Sequence, residues 1–188
     1  MTTSVARLLS RWSAVVLAAV TLMAVAAASS IDATKSGITA TFRQMNVPVE
    51  GSFKIFRGAI DFNPGNLATA RARIEIDTAS FELGALEYDE ELRGKEWFDS
   101  PAYPKASFVS SSVVVVGGNR FEAEGKLTIK GKSQEIKVPF TQRSDGSTRL
   151  FEGELPISRK AYAIGGAEWA DTLDDQVIVK FRITTAAK

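Results

Sequence analysis

Strict alternation of apolar and charged residues marks three stretches of the chain as half-buried β-strands. In 70–77, Ala70, Ala72, Ile74 and Ile76 fall on one side, and Arg71, Arg73, Glu75 and Asp77 on the other. In 121–129, Phe121, Ala123, Gly125, Leu127 and Ile129 oppose Glu122, Glu124, Lys126 and Thr128. In 134–140, Ile136, Val138 and Phe140 oppose Glu135, Lys137 and Pro139. A period of two with one charged face is the signature of a strand packed on one side. Pro139 has no N–H to give a neighbour, so it predicts an irregularity or an open edge at its position. Further strands are read at 38–42, 106–116, 147–157 and 176–184, the last with Val177, Val179, Phe181 and Ile183 on one face. In 51–60 the apolar positions Phe53, Ile55, Phe56 and Ile60 slip phase once, as a bulge would cause.

Turn chemistry separates these runs. Asn63-Pro64-Gly65-Asn66, Gly117-Gly118-Asn119, Lys130-Gly131-Lys132 and Ser144-Asp145-Gly146-Ser147 all supply the restricted or positive φ values that tight turns need. One segment, 84–95, is rich in helix formers and predicts a short helix in which Leu86 and Leu92 share a buried side. About eight strands and one helix without a repeating βα pattern define an all-β fold, for which a barrel and a sandwich fit equally.

The first 28 residues stand apart. Arg7 and Arg11 precede an apolar run from Ser13 to Val25, and Ala26-Ala27-Ala28 offers the small residues of a cleavage site. This predicts a secretory signal peptide over 1–28, a single domain over 29–188, and a location in the periplasm or outside the cell. The apolar run is mostly alanine and falls short of the ~20 strongly apolar residues of a membrane span. Those 28 residues hold two of the chain's 23 basic residues and none of its 22 acidic ones. The remainder is therefore 21 against 22, too balanced to steer nucleic acid.

Composition narrows the chemistry. The chain contains neither cysteine nor histidine. Thiolate and imidazole sites are thereby excluded, and with them the usual structural zinc centres, Ser-His-Asp triads and His- or Cys-ligated haem. The carboxylates Asp171, Asp174 and Asp175, and Glu87, Asp89, Glu90 and Glu91, cluster without the spacing of a calcium loop and read as solvated surface. Lys126, Lys130, Lys132 and Lys137 are offset by Glu122, Glu124 and Glu135, which again argues against a nucleic-acid partner. Eleven phenylalanines can either fill a barrel solidly or line a hollow one.

Eight pieces in order resemble the YceI-like family, also called the polyisoprenoid-binding, lipocalin-like family, in its exported branch. They are Ser36-Gly37-Ile38 with Phe42 and 44–53; 58–64; Ile76-Asp77-Thr78-Ala79-Ser80; 92–99; 103–108; 125–132; Tyr162-Ala163-Ile164-Gly165; and Glu168-Trp169-Ala170-Asp171. The resemblance runs from Ile31 to Thr184. It implies an extended eight-stranded antiparallel lipocalin-like barrel, with a short helix between strands and a long apolar pore. The implied ligand is an isoprenoid-like lipid, either a polyprenyl lipid or an isoprenoid quinone, with no catalytic residue and no resident cofactor. Further expectations from the resemblance are a homodimer and transient membrane contact.

Family matching together with alternation nominates Phe42, Met45, Val47, Phe53, Phe62, Ile76, Leu86, Leu92, Trp97, Phe98, Phe108, Phe121, Leu127, Phe140, Ile164, Trp169 and Phe181 as pore residues. Lys35 and Arg159 are nominated as a polar mouth. Lys35 stands where relatives often carry histidine, and Ser158-Arg159-Lys160 shifts a basic pair common in the family. Two other readings compete: a structural or stress-related interaction protein with a solidly packed barrel, and an enzyme, which would need carboxylates or tyrosines converging in a polar cleft.

Overall fold

A computed structural model of the protein describes residues 28–186. The expected signal peptide, 1–28, lies outside the described residues apart from Ala28. The strands are β1 (Ser29–Ser30), β2 (Gly37–Gln44), β3 (Val47–Phe53), β4 (Phe56–Asp61), β5 (Arg71–Asp77), β6 (Phe81–Glu82), β7 (Lys105–Gly117), β8 (Arg120–Ile129), β9 (Lys132–Asp145), β10 (Thr148–Ser158) and β11 (Gln176–Ala186). One helix, α1 (Leu86–Leu92), lies between β6 and β7. The strands pair antiparallel in one sheet of order β1-β4-β5-β7-β8-β9-β10-β11-β2-β3-β6.

All-β architecture with one short helix is as expected. The closed eight-stranded barrel is corrected to an open, eleven-stranded half-barrel whose end strands, β1 and β6, have two residues each. The phase slip expected in 51–60 is part of the cause. At Lys54 and Ile55 the backbone N–H groups leave the ladder and donate to Ser80 O and Oγ, at 3.0 and 3.1 Å. What reads as one strand is therefore two, β3 pairing with β2 and β6, and β4 with β5 and β1. The sheet curls strongly: Ile31, just after β1, donates to Gly58 O of β4 at 3.0 Å and bridges Thr185 of β11.

Glycines permit the curl. Gly153 of β10 lies opposite Phe181 of β11. A Cβ there would sit 2.3 Å from Pro139 O and 2.6 Å from the Phe181 ring. Gly125 repeats the arrangement on β8, with Val109 O at 2.4 Å and the Phe108 ring at 2.9 Å from a Cβ position. Close backbone approach under an aromatic ring is how a sheet bends without leaving a hole. Gly153→Ala is expected to destabilise the protein by ~1–3 kcal/mol, the usual range for forcing volume into a packed site. A urea midpoint equal to the parent's would show that these strands have room to part.

The charged faces point outward and pair across strands. Glu75 meets Arg57, Arg73 and Lys105 at 2.6–3.4 Å, and Lys137 meets Glu122 and Glu124 at 3.3 and 2.9 Å. Such exposed pairs add little stability; they identify the outer surface and leave the other face to the interior.

Candidate ligand-binding cavity

The inner face lines an apolar cavity of about 230 Å³. Alternate residues of the long strands reach it: Phe151, Leu155 and Ile157 from β10, with Gly153 contributing no side chain, and Val177, Val179, Phe181 and Ile183 from β11. At ~3.3 Å of rise per residue, the span from Phe151 to Ile157 makes the cavity roughly 20 Å long. Ala40, Ala106 and Ala123 leave room in it, because each is a buried wall position with a minimal side chain.

Aromatic rings crowd one end, where Asp61 and the exposed Arg71 also join the lining. Phe62 meets Phe121, Phe151 and Phe140 edge-on at centroid distances of 5.1, 5.4 and 6.0 Å. The other end is plugged by residues after the strands: Leu92 and then Trp97 and Phe98 from the helical segment, with Ile164 and Leu173 from the loop between β10 and β11.

Arg159 organises that plug. It is 3 % exposed. Its Nε donates to Asp174 O (2.9 Å), Nη1 to Ile164 O and Gly165 O (3.0 Å each), and Nη2 to Trp169 O (3.2 Å) and Leu173 O (2.9 Å). A guanidinium has five N–H donors, and all five are satisfied by main-chain carbonyls. The loop can aim them inward because Ala163 and Gly165 take left-handed conformations, φ +53° and +69°.

Asp175 supports the same corner. Its carboxylate accepts from Ser158 Oγ (2.9 Å) and Lys160 N (3.0 Å). Burial pushes its pKa up, but the Lys160 N–H, the Ser158 hydroxyl and the charges of Lys160 and Arg159 outweigh that and hold it below the usual aspartate range. A carboxylate with a lowered folded pKa stabilises the fold above its unfolded value of 3.8 and loses that contribution as pH falls through the folded pKa. Asp175→Asn should therefore flatten the acid limb of the stability–pH curve. An NMR titration of Asp175 at or above 3.8 would contradict the assignment.

Four buried polar atoms in the plug segments, Ser100 Oγ, Tyr162 OH, Trp169 Nε1 and Thr172 Oγ1, have no protein partner. Buried groups of this kind are ordinarily satisfied by water or ligand; these lie behind the cavity wall. Outside the plug, a second hollow of about 540 Å³ is lined by Lys95, Lys130, Lys132 and Lys160 together with Glu96 and Asp99, and Arg159 belongs to both walls.

Of the nominated residues, Phe42, Phe53, Phe62, Ile76, Leu92, Trp97, Phe98, Phe108, Leu127, Phe140, Ile164 and Phe181 stand on the cavity wall. Five do not. Met45, 73 % exposed, sits in the β2–β3 turn at φ +51°, and Val47 follows it into solvent. Leu86, 69 % exposed, is six residues from Leu92; at 100° per residue the two diverge by ~120° on a helix. Phe121 is buried against Phe62 and Phe140, and Trp169 packs on Trp97 at 5.3 Å while Trp97 takes the wall position. Lys35 is no mouth residue: it lies on the outside, paired with Asp32 at 3.6 Å. Arg159 does reach the cavity, but with no donor to spare. Alternation carried through β11 finds Val177, Val179 and Ile183; Leu173, on an irregular loop, has no such signal.

Among the described residues, no group of three or more acidic side chains is placed to hold a metal ion, and no helix is long and apolar enough to cross a membrane. The model of the YceI-like domain matches residues 30–185. The chain belongs to the YceI-like family. Within it, BcnA of Burkholderia cenocepacia is similar in structure, with 44 % identity and a TM-score of 0.80 over 82 % of this chain and 98 % of that one. A polyisoprenoid-binding domain from Saccharophagus degradans, implicated in plant cell wall breakdown, shares the fold at 17 % identity, with a TM-score of 0.69 over 86 % of this YceI-like chain and 99 % of that domain. A UPF0312 protein of Vibrio cholerae is 30 % identical over 90 residues, and that match spans 48 % of each chain. A UPF0312 protein of Pseudomonas savastanoi is 29 % identical over 133 residues, covering 67 % of this chain and 69 % of its own. The chain thus spans about half the length of the Vibrio relative.

Proposed function

We propose that the curled sheet acts as a barrel-like sleeve that binds, stores or carries one long apolar molecule of the isoprenoid kind, a polyprenyl lipid or an isoprenoid quinone, without changing it chemically. The observation that carries this reading is the roughly 20 Å apolar cavity lined by aliphatic and aromatic side chains, with Asp61, Arg71 and Arg159 the charged residues on its wall. An apolar chain gains ~0.8 kcal/mol per CH₂ removed from water, so a dry tunnel alone supplies the affinity. The Saccharophagus domain, described as polyisoprenoid-binding, lends the same fold to the same class of ligand. At 230 Å³ the space is below the ~300–1,000 Å³ of common small-molecule pockets. A long ligand is therefore seated by turning rings such as Phe53 and Phe181 aside. In this reading residues 1–28 direct export and the domain from 29 to 188 works outside the cytoplasm.

Protein purified from the exported fraction, extracted with organic solvent and analysed by mass spectrometry, should release a long apolar molecule, and its intact mass should lack residues 1–28. Protein that releases no lipid and takes up no isoprenoid quinone would overturn the reading in favour of a solidly packed interaction protein.

A further inference from the structure

The ladder between β9 and β10 is incomplete. Thr148–Glu152 pair with Asp145–Thr141, and there the pairing stops. Beyond it β9 from 132 to 140 is bonded only to β8, and β10 from 153 to 158 only to β11. Along the unpaired length, about 20 Å at the usual strand rise, no main-chain ladder holds the wall together. Each flanking strand carries an exposed proline there, Pro139 on β9 and Pro156 on β10. Proline donates no N–H, so these residues keep the seam from zipping. Behind it lie only side chains: Ile136 and Val138 from one strand meet Leu155 and Ile157 from the other, and all four line the cavity.

Both ends of the cavity are crowded with side chains, and Asp61 and the exposed Arg71 put charge on the lining beside the Phe62 rings, whereas the seam presents apolar side chains alone. Opening one means separating the edge-on rings around Phe62; opening the other means breaking the five hydrogen bonds of Arg159. We infer that the apolar ligand passes in and out sideways, through the β9–β10 seam. This rests on the binding function proposed above. The seam also explains how a chain longer than the cavity's mouth could be admitted: it enters along its length, with only apolar side chains displaced.

The absence of cysteine makes a clean test available. Continuing the register beyond Thr141–Glu152 sets Lys137 across from Pro156 and diagonal to Glu154, all exposed. The double variant Lys137→Cys/Glu154→Cys, a diagonal pair on the outer face that leaves both prolines in place, is joined with a short bis-maleimide, and stopped-flow uptake of N-phenyl-1-naphthylamine is compared before and after joining. A control pair, Asp145→Cys/Thr148→Cys, places the same link across the part of the ladder that is already paired. Linking the seam should slow uptake and release at least tenfold with unchanged equilibrium affinity, and linking the control pair should change neither. Unslowed uptake in the seam-linked protein would overturn the lateral route while leaving the binding function intact. If the unlinked protein takes up neither the probe nor an isoprenoid quinone, both proposals fall together.

Discussion

Arg159→Met should lower the melting temperature by about 8–16 °C, corresponding to ~4 kcal/mol at ~2–4 °C per kcal/mol for a domain of this size. Two effects oppose each other. Removing a buried cation relieves its desolvation penalty, and replacing buried charges by apolar side chains is sometimes neutral or favourable. Here, however, the partners remain: the carbonyls of Asp174, Ile164, Gly165, Trp169 and Leu173 would all lose their donors at once. Each stranded buried acceptor costs ~1–3 kcal/mol, so the loss outweighs the relief even if part of the loop turns outward to water. Arg159→Lys should recover only part of the stability, since an ammonium has three donors and no planar fork. Thermal unfolding of the parent and both variants decides the matter. A melting temperature for Arg159→Met within 2–3 °C of the parent would show that the loop holds its shape by other means.

This residue also marks the limit of what the sequence can show. The strands were legible because one-sided burial writes a period of two into the chain, and the outer-face ion pairs of Glu75 and Lys137 keep that pattern sharp. The irregularity near Pro139 was legible for a simple chemical reason, a missing donor: the ladder between β9 and β10 ends two residues away, at Thr141, while Pro139 stays opposite Glu122 of β8. Arg159 was legible only as a charge near a motif. That its five donors turn inward to a loop 5–15 residues further on is a tertiary fact with no periodic signature. The misplaced pore residues fail for similar reasons. Met45 lies in a tight turn and Val47 directly after it, Leu86 and Leu92 were spaced for no common helix face, and Phe121 and Trp169 are second in line behind rings that reach the wall first. Strand number escaped because Ser80 diverts two N–H groups from the middle of one apparent strand.

Ala40→Phe separates a hollow sheet from a packed one. Ala40 is a buried wall residue of β2, opposite Gly51 on one side and Val179 on the other. A dry apolar cavity of ~150 Å³ accommodates benzene, so the 230 Å³ here can take one added phenyl ring. In a hollow interior the ring fills empty space: the melting temperature should hold or rise, while affinity for an apolar ligand falls by tenfold or more, a loss of at least ~1.4 kcal/mol. In a solid interior the same substitution is overpacking and should destabilise by ~1–3 kcal/mol, about 2–12 °C, with no binding to lose. The two outcomes differ in the sign of the stability change as well as in binding. Calorimetry on the purified variant therefore tests the cavity even before its natural ligand is known. A destabilised Ala40→Phe that still binds an isoprenoid quinone as the parent does would place the ligand elsewhere than against β2.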